Sequence, residues 1–499
     1  MKKIVIIGGG IAGLSAGCYA RMNGYDAHIF EMHDLPGGLC TSWKRNGYTF
    51  DGSIHWLEGT SPEHPFNEVW QELGALKDKK IYYKDMSYKI FLKDHTITLY
   101  NDPDKLKKYL YGIAPEDRDM NYELANSISV FYPFQDMPLS KPKELFTIFE
   151  KIQDIKKYIP VIRLMQKYGK MTVEEFAGRF KNPVLQEAIR TTIETTSTDS
   201  GSINGFVGVL FVLATKGYGF PEGGSLNLAR SIEKRYTGLG GKIHYGAKIK
   251  KILVENNTAV GVQLEDGAEE TADIVISASD GYSTIFKMLD GRYINKKIKH
   301  CYEKEAVTPS TVQVSIGVDM DVSGIADPHA IFNMYPLKRP IMIAGRANNI
   351  IRIKNYSFDP SFAPKGKSTL VIIFGSESAY WEEIYADKEK YWEEKKKIEE
   401  AVISFLEEIM PGIKEKIEVV DVATPMTYIR YTNTWKGSPM GFAKNILLNL
   451  PRTLPKLKNF FMVGQWVGDM GVSGAAKSGR DIVQLICKQD KKRFITSQP

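Results

Sequence analysis

At 499 residues the chain is too long for one compact core, so two or three domains are expected. Its 43% hydrophobic and 25% charged residues are ordinary for a globular protein and exclude disorder over any long stretch. The net charge of +7 comes with no dense Lys/Arg cluster interleaved with stacking aromatics, so no nucleic-acid partner is expected, though the charge suits contact with an anionic membrane surface.

In chain order, residues 3–7 are predicted as a short apolar strand, 8–13 as a turn and 14–23 as a helix stopped by Gly24. Residues 26–30 form a second predicted strand with Glu31 at its end. The opening MKKIVIIGGGIAG is not a signal peptide, because its apolar run is short and breaks into glycines. Residues 81–110 are expected to be strands and a turn, from the alternation in IYYKDMSYKIFLKDHTITLY. Residues 141–217 are expected to be mainly helical. No stretch approaches the roughly 20 apolar residues that span a bilayer, the most apolar, 206–214, being far too short. After residue 240 an α/β pattern returns, with a hairpin around Asn256-Asn257 and a buried strand at 274–278. Residues 308–375 are strand-rich, and 387–411 form an amphipathic helix ended by Pro411-Gly412. A last buried strand at 460–464 leads through a glycine-rich turn into a helix over 473–487.

Nucleotide-type signals thus occur at both ends and in the middle. The expected organisation is α/β: a discontinuous Rossmann-like, two-dinucleotide-type domain from 1–80, 218–290 and 452–490. A mixed α+β substrate domain comes from 81–217 and 291–451, and 491–499 are a tail.

Gly8, Gly10 and Gly13 in GGGIAGLSAG, with Ala12 between them, make a G-x-G-x-x-G turn between a predicted strand and a predicted helix. The first glycine permits the tight turn, the second lets backbone approach a pyrophosphate, and the third lets helix pack on strand. The helix N-terminus offers amides and positive dipole to phosphates. Glu31, 23 residues after Gly8, is placed to accept hydrogen bonds from adenosine ribose hydroxyls. That much fits NAD or FAD. The doublet Gly37-Gly38 in LPGGLCTSW is not an NAD feature; it lets backbone lie along phosphates and a ribityl chain, and it decides for FAD.

Four cysteines lie far apart, with no CxxC or His/Cys metal spacing. A reducing compartment and no metal are expected. The expected location is cytoplasmic, with peripheral contact on the cytoplasmic face of a membrane.

At this point the chain resembles the phytoene desaturase-like flavoproteins, with their carotenoid isomerase and retinol saturase branch, within the amine-oxidase-like FAD superfamily. VIIGGGIAGLSAG with Glu31, PGGLCTSWKRNGYTFDGSIHWLEG, GFPEGGSLNLARSIEKRYTGLGGKI, AVGVQLEDG, ADIVISAS, ATPMTYIRYTNTWKGSPMGF and NFFMVGQWVGDMGVSGAAKSGRD carry the resemblance. It implies a substrate domain over the flavin face and backbone contacts from Ile249 to the adenine. It also implies that a C-terminal turn with Gly464, Asp469, Gly471 and Val472 runs along the ribityl chain and pyrimidine edge. Two departures stand out. Many relatives have Gly-Asp where this chain has Gly464-Gln465, and Leu39 replaces the Arg that commonly follows the doublet in amine oxidases, which favours the carotenoid and retinoid branch.

Flavin moves hydride itself, so few acid or base groups are expected. His55, in FDGSIHWLEG, is the candidate for moving the accompanying proton; its other reading is a buried core histidine. Cys40 follows the doublet and reads as a small packing residue. Tyr428 and Arg430 are candidates to line the substrate pocket. Residues 141–170 are basic and periodically apolar, with Leu145, Ile148, Phe149, Ile152 and Ile155 at helical spacing among Lys143, Lys151, Lys156, Lys157, Arg163, Lys167 and Lys170. The segment reads as a membrane-interface helix or as a core helix with a solvated basic face.

The expected activity is FAD-dependent oxidoreduction at carbon–carbon bonds of an isoprenoid or other polyene lipid, by desaturation, saturation or cis/trans isomerisation. No separate NAD(P)H-binding half-unit is evident, which leaves quinone, oxygen and other reductants open. The alternatives are an amine oxidase-like flavoenzyme and a non-enzymatic prenyl-lipid carrier on the same fold; Glu31 and Gly37-Gly38 argue against the carrier.

Overall fold

The protein's structure, a computed structural model, describes residues 1–130, 141–169, 171–194, 203, 206–207, 210, 217–304, 307–442, 450–468 and 471–497.

An apolar strand, β1 (Lys3–Ile7), occupies the middle of a five-stranded parallel sheet. It pairs with β2 (Asp26–Phe30) on one side, and β3 (Lys242–His244) lies beyond β2. On its other side it pairs with β4 (Ile274–Ser277), beyond which lies β5 (Phe460–Met462). Strands from three distant stretches of chain therefore share one sheet. β1 and β4 read as nearly continuous apolar runs, and β2 is buried from Ala27 to Phe30, because helices and a small antiparallel sheet cover both faces. Parallel strands put all their carboxyl ends on one edge, where ligands of such sheets sit.

Three helices support that edge: α1 (Ile11–Met22), α2 (Gly224–Gly238) and α3 (Gly471–Gln489). The side chains of α1 are buried almost throughout, because α1 lies between the sheet, α2 and α3. The small antiparallel sheet comprises Ile249–Glu255, Thr258–Leu264 and Glu269–Thr271. Its first hairpin turns at Asn256 and Asn257, which both hold positive φ (45° and 59°), as a two-residue turn of matching twist requires.

A second, seven-stranded sheet runs in the order Ile417–Ala423, Ser310–Val318, Ser368–Ser376, Arg346–Asn355, Ala330–Ile343, Met86–Phe91, Thr96–Tyr100. All its pairs are antiparallel except Ala330–Ile343 with Met86–Phe91. The helix Lys388–Ile409 lays Ile398, Val402, Phe405 and Leu406 on one part of it. Helices Pro103–Ile113, Arg118–Ser129 and Pro183–Glu194 pack on the end near Tyr88, Ile90 and Phe332.

Several boundaries differ from the sequence reading: the first helix starts at Ile11 rather than residue 14, and the last strand ends at Met462 rather than residue 464. The strands expected over 81–110 stop at Tyr100, and Pro103–Ile113 is a helix. Asp102 caps it by accepting the Lys105 amide at 2.7 Å, with Pro103 in the first turn. The last helix begins at Gly471, two residues earlier than expected.

Candidate active site

The carboxyl edge of the parallel sheet opens into a cavity of about 600 Å³ that continues beneath the seven-stranded sheet. At its nucleotide end, β1 leads into the glycine turn. Gly8 holds φ +100°, and its amide donates to the Phe30 carbonyl (2.8 Å), tying the turn to β2. A Cβ at Gly13 would lie 1.9 Å from the Gly8 carbonyl oxygen, so only glycine lets α1 start this close to the turn. The first-turn amides of α1, which have no intrahelical acceptors, face the cavity, where Gly10, Ile11 and Ala12 line the wall.

Glu31 ends β2 and also lines the wall, only 6% exposed. Its Oε2 accepts the Gly9 amide at 2.6 Å and its Oε1 the His33 amide at 2.8 Å. The carboxylate thus braces the glycine turn, and each oxygen keeps a lone pair for a further donor. Burial raises its proton affinity against the pull of those amides. Its carbonyl accepts the Ala247 amide (2.8 Å), which brings Ala247, Lys248 and Ile249 to the same wall. Ile249 is buried.

The doublet packs directly on the turn: the Gly37 amide donates to the Gly9 carbonyl at 2.9 Å, and Gly37 pairs with Gly10 as a parallel bridge. Gly37 and Gly38 both line the cavity. Cys40 beside them is buried, its thiol donating to the Ser225 carbonyl (3.6 Å), and burial pushes that thiol up, which keeps it un-ionised. Gly464, Gln465, Gly471 and Val472 close the far side. The Gly464 amide donates to Ser478 Oγ on α3 (2.9 Å). Asp469 lies outside the described residues.

The cavity wall fits a dinucleotide. A Cβ at Gly10 would meet only the Gly37 oxygen at 3.8 Å, so cavity space, not neighbouring protein, is what glycine preserves there; Gly471 holds φ +75°, which favours glycine in its own right. Two helix N-termini, α1 and α3, open on it, which suits pyrophosphate at one and an electron-rich ring edge at the other. Among the described residues no group of three or more His, Cys, Asp and Glu side chains is placed to hold a metal.

The other half of the cavity is walled by Ile54, Trp56, Tyr88, Phe332, Ile373 and Tyr428, with His55 among them. His55 sits on the loop after strand Tyr48–Asp51, and Asp51 fixes that loop. Its Oδ1 accepts the Ser53 and Ile54 amides (both 3.0 Å) and Ser225 Oγ (2.7 Å), and its Oδ2 accepts the Ser225 amide (2.7 Å) at the start of α2. Burial pushes the Asp51 carboxyl up, against those hydrogen bonds and the Lys354 charge. His55 Nδ1 lies 2.7 Å from Lys354 Nζ, which comes from the seven-stranded sheet and is 2% exposed. Burial first, then the Lys354 and Arg352 charges, hold the His55 imidazole well below its usual range. Burial lowers the Lys354 ammonium to about 7, with Asp51 opposing and Arg352 adding to the effect.

Tyr428, on helix Pro425–Thr432, lines the cavity, and burial pushes its phenol up to about 12. Arg430 does not line it: this exposed side chain stacks its guanidinium over Tyr431, 4.5 Å from the ring centroid, and Tyr431 faces the cavity instead. The helical period accounts for the correction, since positions 428 and 430 sit about 200° apart on one helix. Sequence reasoning missed Lys354, Arg352 and Asp51. The one local signal was the alternation of Ile351 and Ile353 with the basic Arg352 and Lys354 in a strand-rich stretch, an unusual place for charge in a central strand.

Residues 11–487 match the family described as flavin containing amine oxidoreductase. A chloroplastic prolycopene isomerase of Daucus carota is 26% identical, over 95% of this chain and 78% of its own length. A lycopene-forming phytoene desaturase of Pseudescherichia vulneris is 24% identical over 86% of each chain. Among solved structures, putrescine oxidase bound to putrescine superposes with a TM-score of 0.60 at 13% identity, covering 97% of this chain and 99% of that one; at that identity the likeness is one of fold.

Proposed function

We propose that this chain, which belongs to the flavin containing amine oxidoreductase family, is an FAD-dependent enzyme that acts on carbon–carbon bonds of a polyene lipid of the isoprenoid type. The observation that carries the reading is one continuous cavity. It joins a dinucleotide cradle to a compartment walled by aromatic and aliphatic side chains, in which His55, a neutral imidazole in contact with Lys354, is the group that faces the cavity with an exchangeable ring hydrogen.

Gly8, Gly10, Gly13, Gly37 and Gly38 would admit the pyrophosphate and ribityl chain to the backbone, and Glu31 would take the adenosine ribose. Ile249 would flank the adenine, and the start of α3 would meet the pyrimidine edge. Bound flavin supplies the hydride acceptor or donor. The chain's own work is to hold the polyene against that ring, to exclude water with Trp56, Tyr88, Phe332 and Tyr428, and to hold a proton at His55. The carotenoid relatives favour a polyene over an amine, and the choice among desaturation, saturation and isomerisation falls to experiment.

Purified protein should absorb near about 450 nm and release FAD on acid precipitation. Anaerobic incubation with prolycopene or phytoene, oxidised or dithionite-reduced, followed by mass analysis, reads loss of two hydrogens, gain of two, or none with a changed geometry. Oxidation of amines with peroxide release, and no change in either polyene, would overturn the reading.

The helix Ile148–Tyr168 is our proposed membrane contact. Ile148, Ile152, Ile159 and Ile162 fall on one stripe and are all exposed, Ile148 by 79%. Lys151, Lys156 and Arg163 flank that stripe and are exposed too. An anionic lipid surface matches both features, and it is the phase in which a polyene resides. Among the described residues no helix is long and apolar enough to cross a membrane. The four cysteines are buried and free, in keeping with a reducing, cytoplasmic setting.

A further inference from the structure

We infer that Lys354 is a positioning residue for His55: it keeps Nδ1 an acceptor, so that the ring hydrogen sits on Nε2, and it reloads the ring after Nε2 gives its proton to the cavity. The two residues are 299 positions apart and meet at 2.7 Å. The direction of this hydrogen bond follows from counting donors. Lys354 Nζ has three neighbours within reach: His55 Nδ1 (2.7 Å), Tyr356 Oη (3.0 Å) and, longer, the Ile54 carbonyl (3.5 Å). A carbonyl only accepts, and the protonated Nζ, the form that prevails below about pH 7, has three N–H groups for three acceptors. Lys354 therefore donates to Nδ1, and the neutral imidazole carries its hydrogen on Nε2. His55 lines the cavity, and its Nε2 has no hydrogen-bond partner among the described residues, so that N–H is free for a bound molecule.

The proton balance is simple. In the saturating direction, where one carbon of the double bond receives hydride and the other a proton, Nε2–H gives that proton while Nδ1 takes one from the ammonium; desaturation runs the same proton path in reverse. The imidazole stays neutral, the lysine becomes an amine, and the net change is one proton moved from Nζ to the substrate. The charged and titratable groups around this path are Asp51 below the loop, Arg352 on the same strand, Lys84 from the loop before strand Met86–Phe91 and Tyr356.

The use made of the proton rests on the proposed polyene activity; the tautomer does not, and the test separates them. Holoprotein labelled with ¹⁵N-histidine shows by ring ¹⁵N–¹H correlation which nitrogen carries hydrogen, with His55 assigned by its loss in His55→Gln. The expected wild-type signal is Nε2–H. Lys354→Met should convert it to a mixture or to Nδ1–H, and Lys354→Arg, which still donates, should retain Nε2–H. An Nδ1–H tautomer in the wild type, or an unchanged tautomer in Lys354→Met, overturns the inference; the wild-type spectrum decides even if a variant fails to fold. With prolycopene or phytoene as probe, Lys354→Met should lower turnover at least about tenfold and abolish a pH step near 7. Lys354→Arg should recover part of the rate. Full wild-type turnover and pH profile in Lys354→Met overturns the relay, while absence of polyene turnover in the wild type speaks against the proposed function alone.

Discussion

Gly479 on α3 faces Ala16 on α1 so closely that a Cβ on Gly479 would lie 2.5 Å from the Ala16 amide nitrogen and 2.6 Å from the Ala12 carbonyl oxygen. The contact locks together the two helices whose N-termini open on the cofactor cavity. Ser15 Oγ donates to the Ala476 carbonyl (2.6 Å) at the same crossing, and Arg480 pairs with Glu72 at 2.9 Å, both nearly buried.

Gly479→Ala should therefore push α3 away from α1. Overpacking of this kind costs about 1–3 kcal/mol, more than the helix gains from losing a glycine, about 1 kcal/mol. The expected outcome is a lower melting temperature and faster loss of flavin on dilution, read by calorimetry and flavin fluorescence. A variant as stable and as yellow as the wild type would show that the helices can separate without harm to the site.

Glu31 accepts two backbone amides with its two oxygens. Glu31→Gln leaves one oxygen and one amide group, so a donor is turned toward a donor in a buried place. An unsatisfied buried group costs about 1–3 kcal/mol. Flavin affinity in the reconstituted apoprotein should fall by about tenfold to a hundredfold. Titration of apoprotein with FAD measures it, and equal affinity would remove Glu31 from the cofactor's binding set.

Lys354 gives the fold a pH signature. An unfolded lysine titrates near about 10.4, and the buried one near 7. Between those values the unfolded chain binds more protons at this site, so stability rises with pH there, by up to about 1.4 kcal/mol per pH unit. In urea unfolding, Lys354→Met should gain on the wild type at pH 7 and lose that gain progressively toward pH 10. A difference that stays constant over this range would mean that Lys354 titrates normally.

On vesicles, the holoprotein should co-sediment with anionic lipid and much less with zwitterionic lipid, the difference shrinking at high salt. Ile148→Glu with Phe149→Glu removes two exposed apolar side chains, each contributing about 1.5–3 kcal/mol when buried. Binding should weaken at least about tenfold while the flavin spectrum is unchanged. Equal binding by this double variant would move the contact elsewhere on the surface.

The nucleotide half was legible because its signals are local. The Gly8–Gly13 turn, Glu31 and Gly37-Gly38 lie within about 30 residues of one another, and each demands a particular backbone shape that glycine spacing writes into the chain. Tyr428 and Arg430 show the limit: their segment was identified, but only the helix phase decides that the tyrosine faces the cavity and the arginine does not. The helix at Pro103–Ile113 was readable from Asp102-Pro103 and was masked by the strand alternation before it.

The sequence by itself determined the strand, glycine turn and helix at the start of the chain, with Glu31 at the end of the second strand, because short-range sterics act along the chain. Only the tertiary structure decided what stands behind His55. Lys354 arrives there through the register of strand Arg346–Asn355 in a seven-stranded sheet, paired Lys354 to Val371. Such long-range pairing is set by the packing of the whole sheet, and no residue near His55 in the chain carries a trace of it.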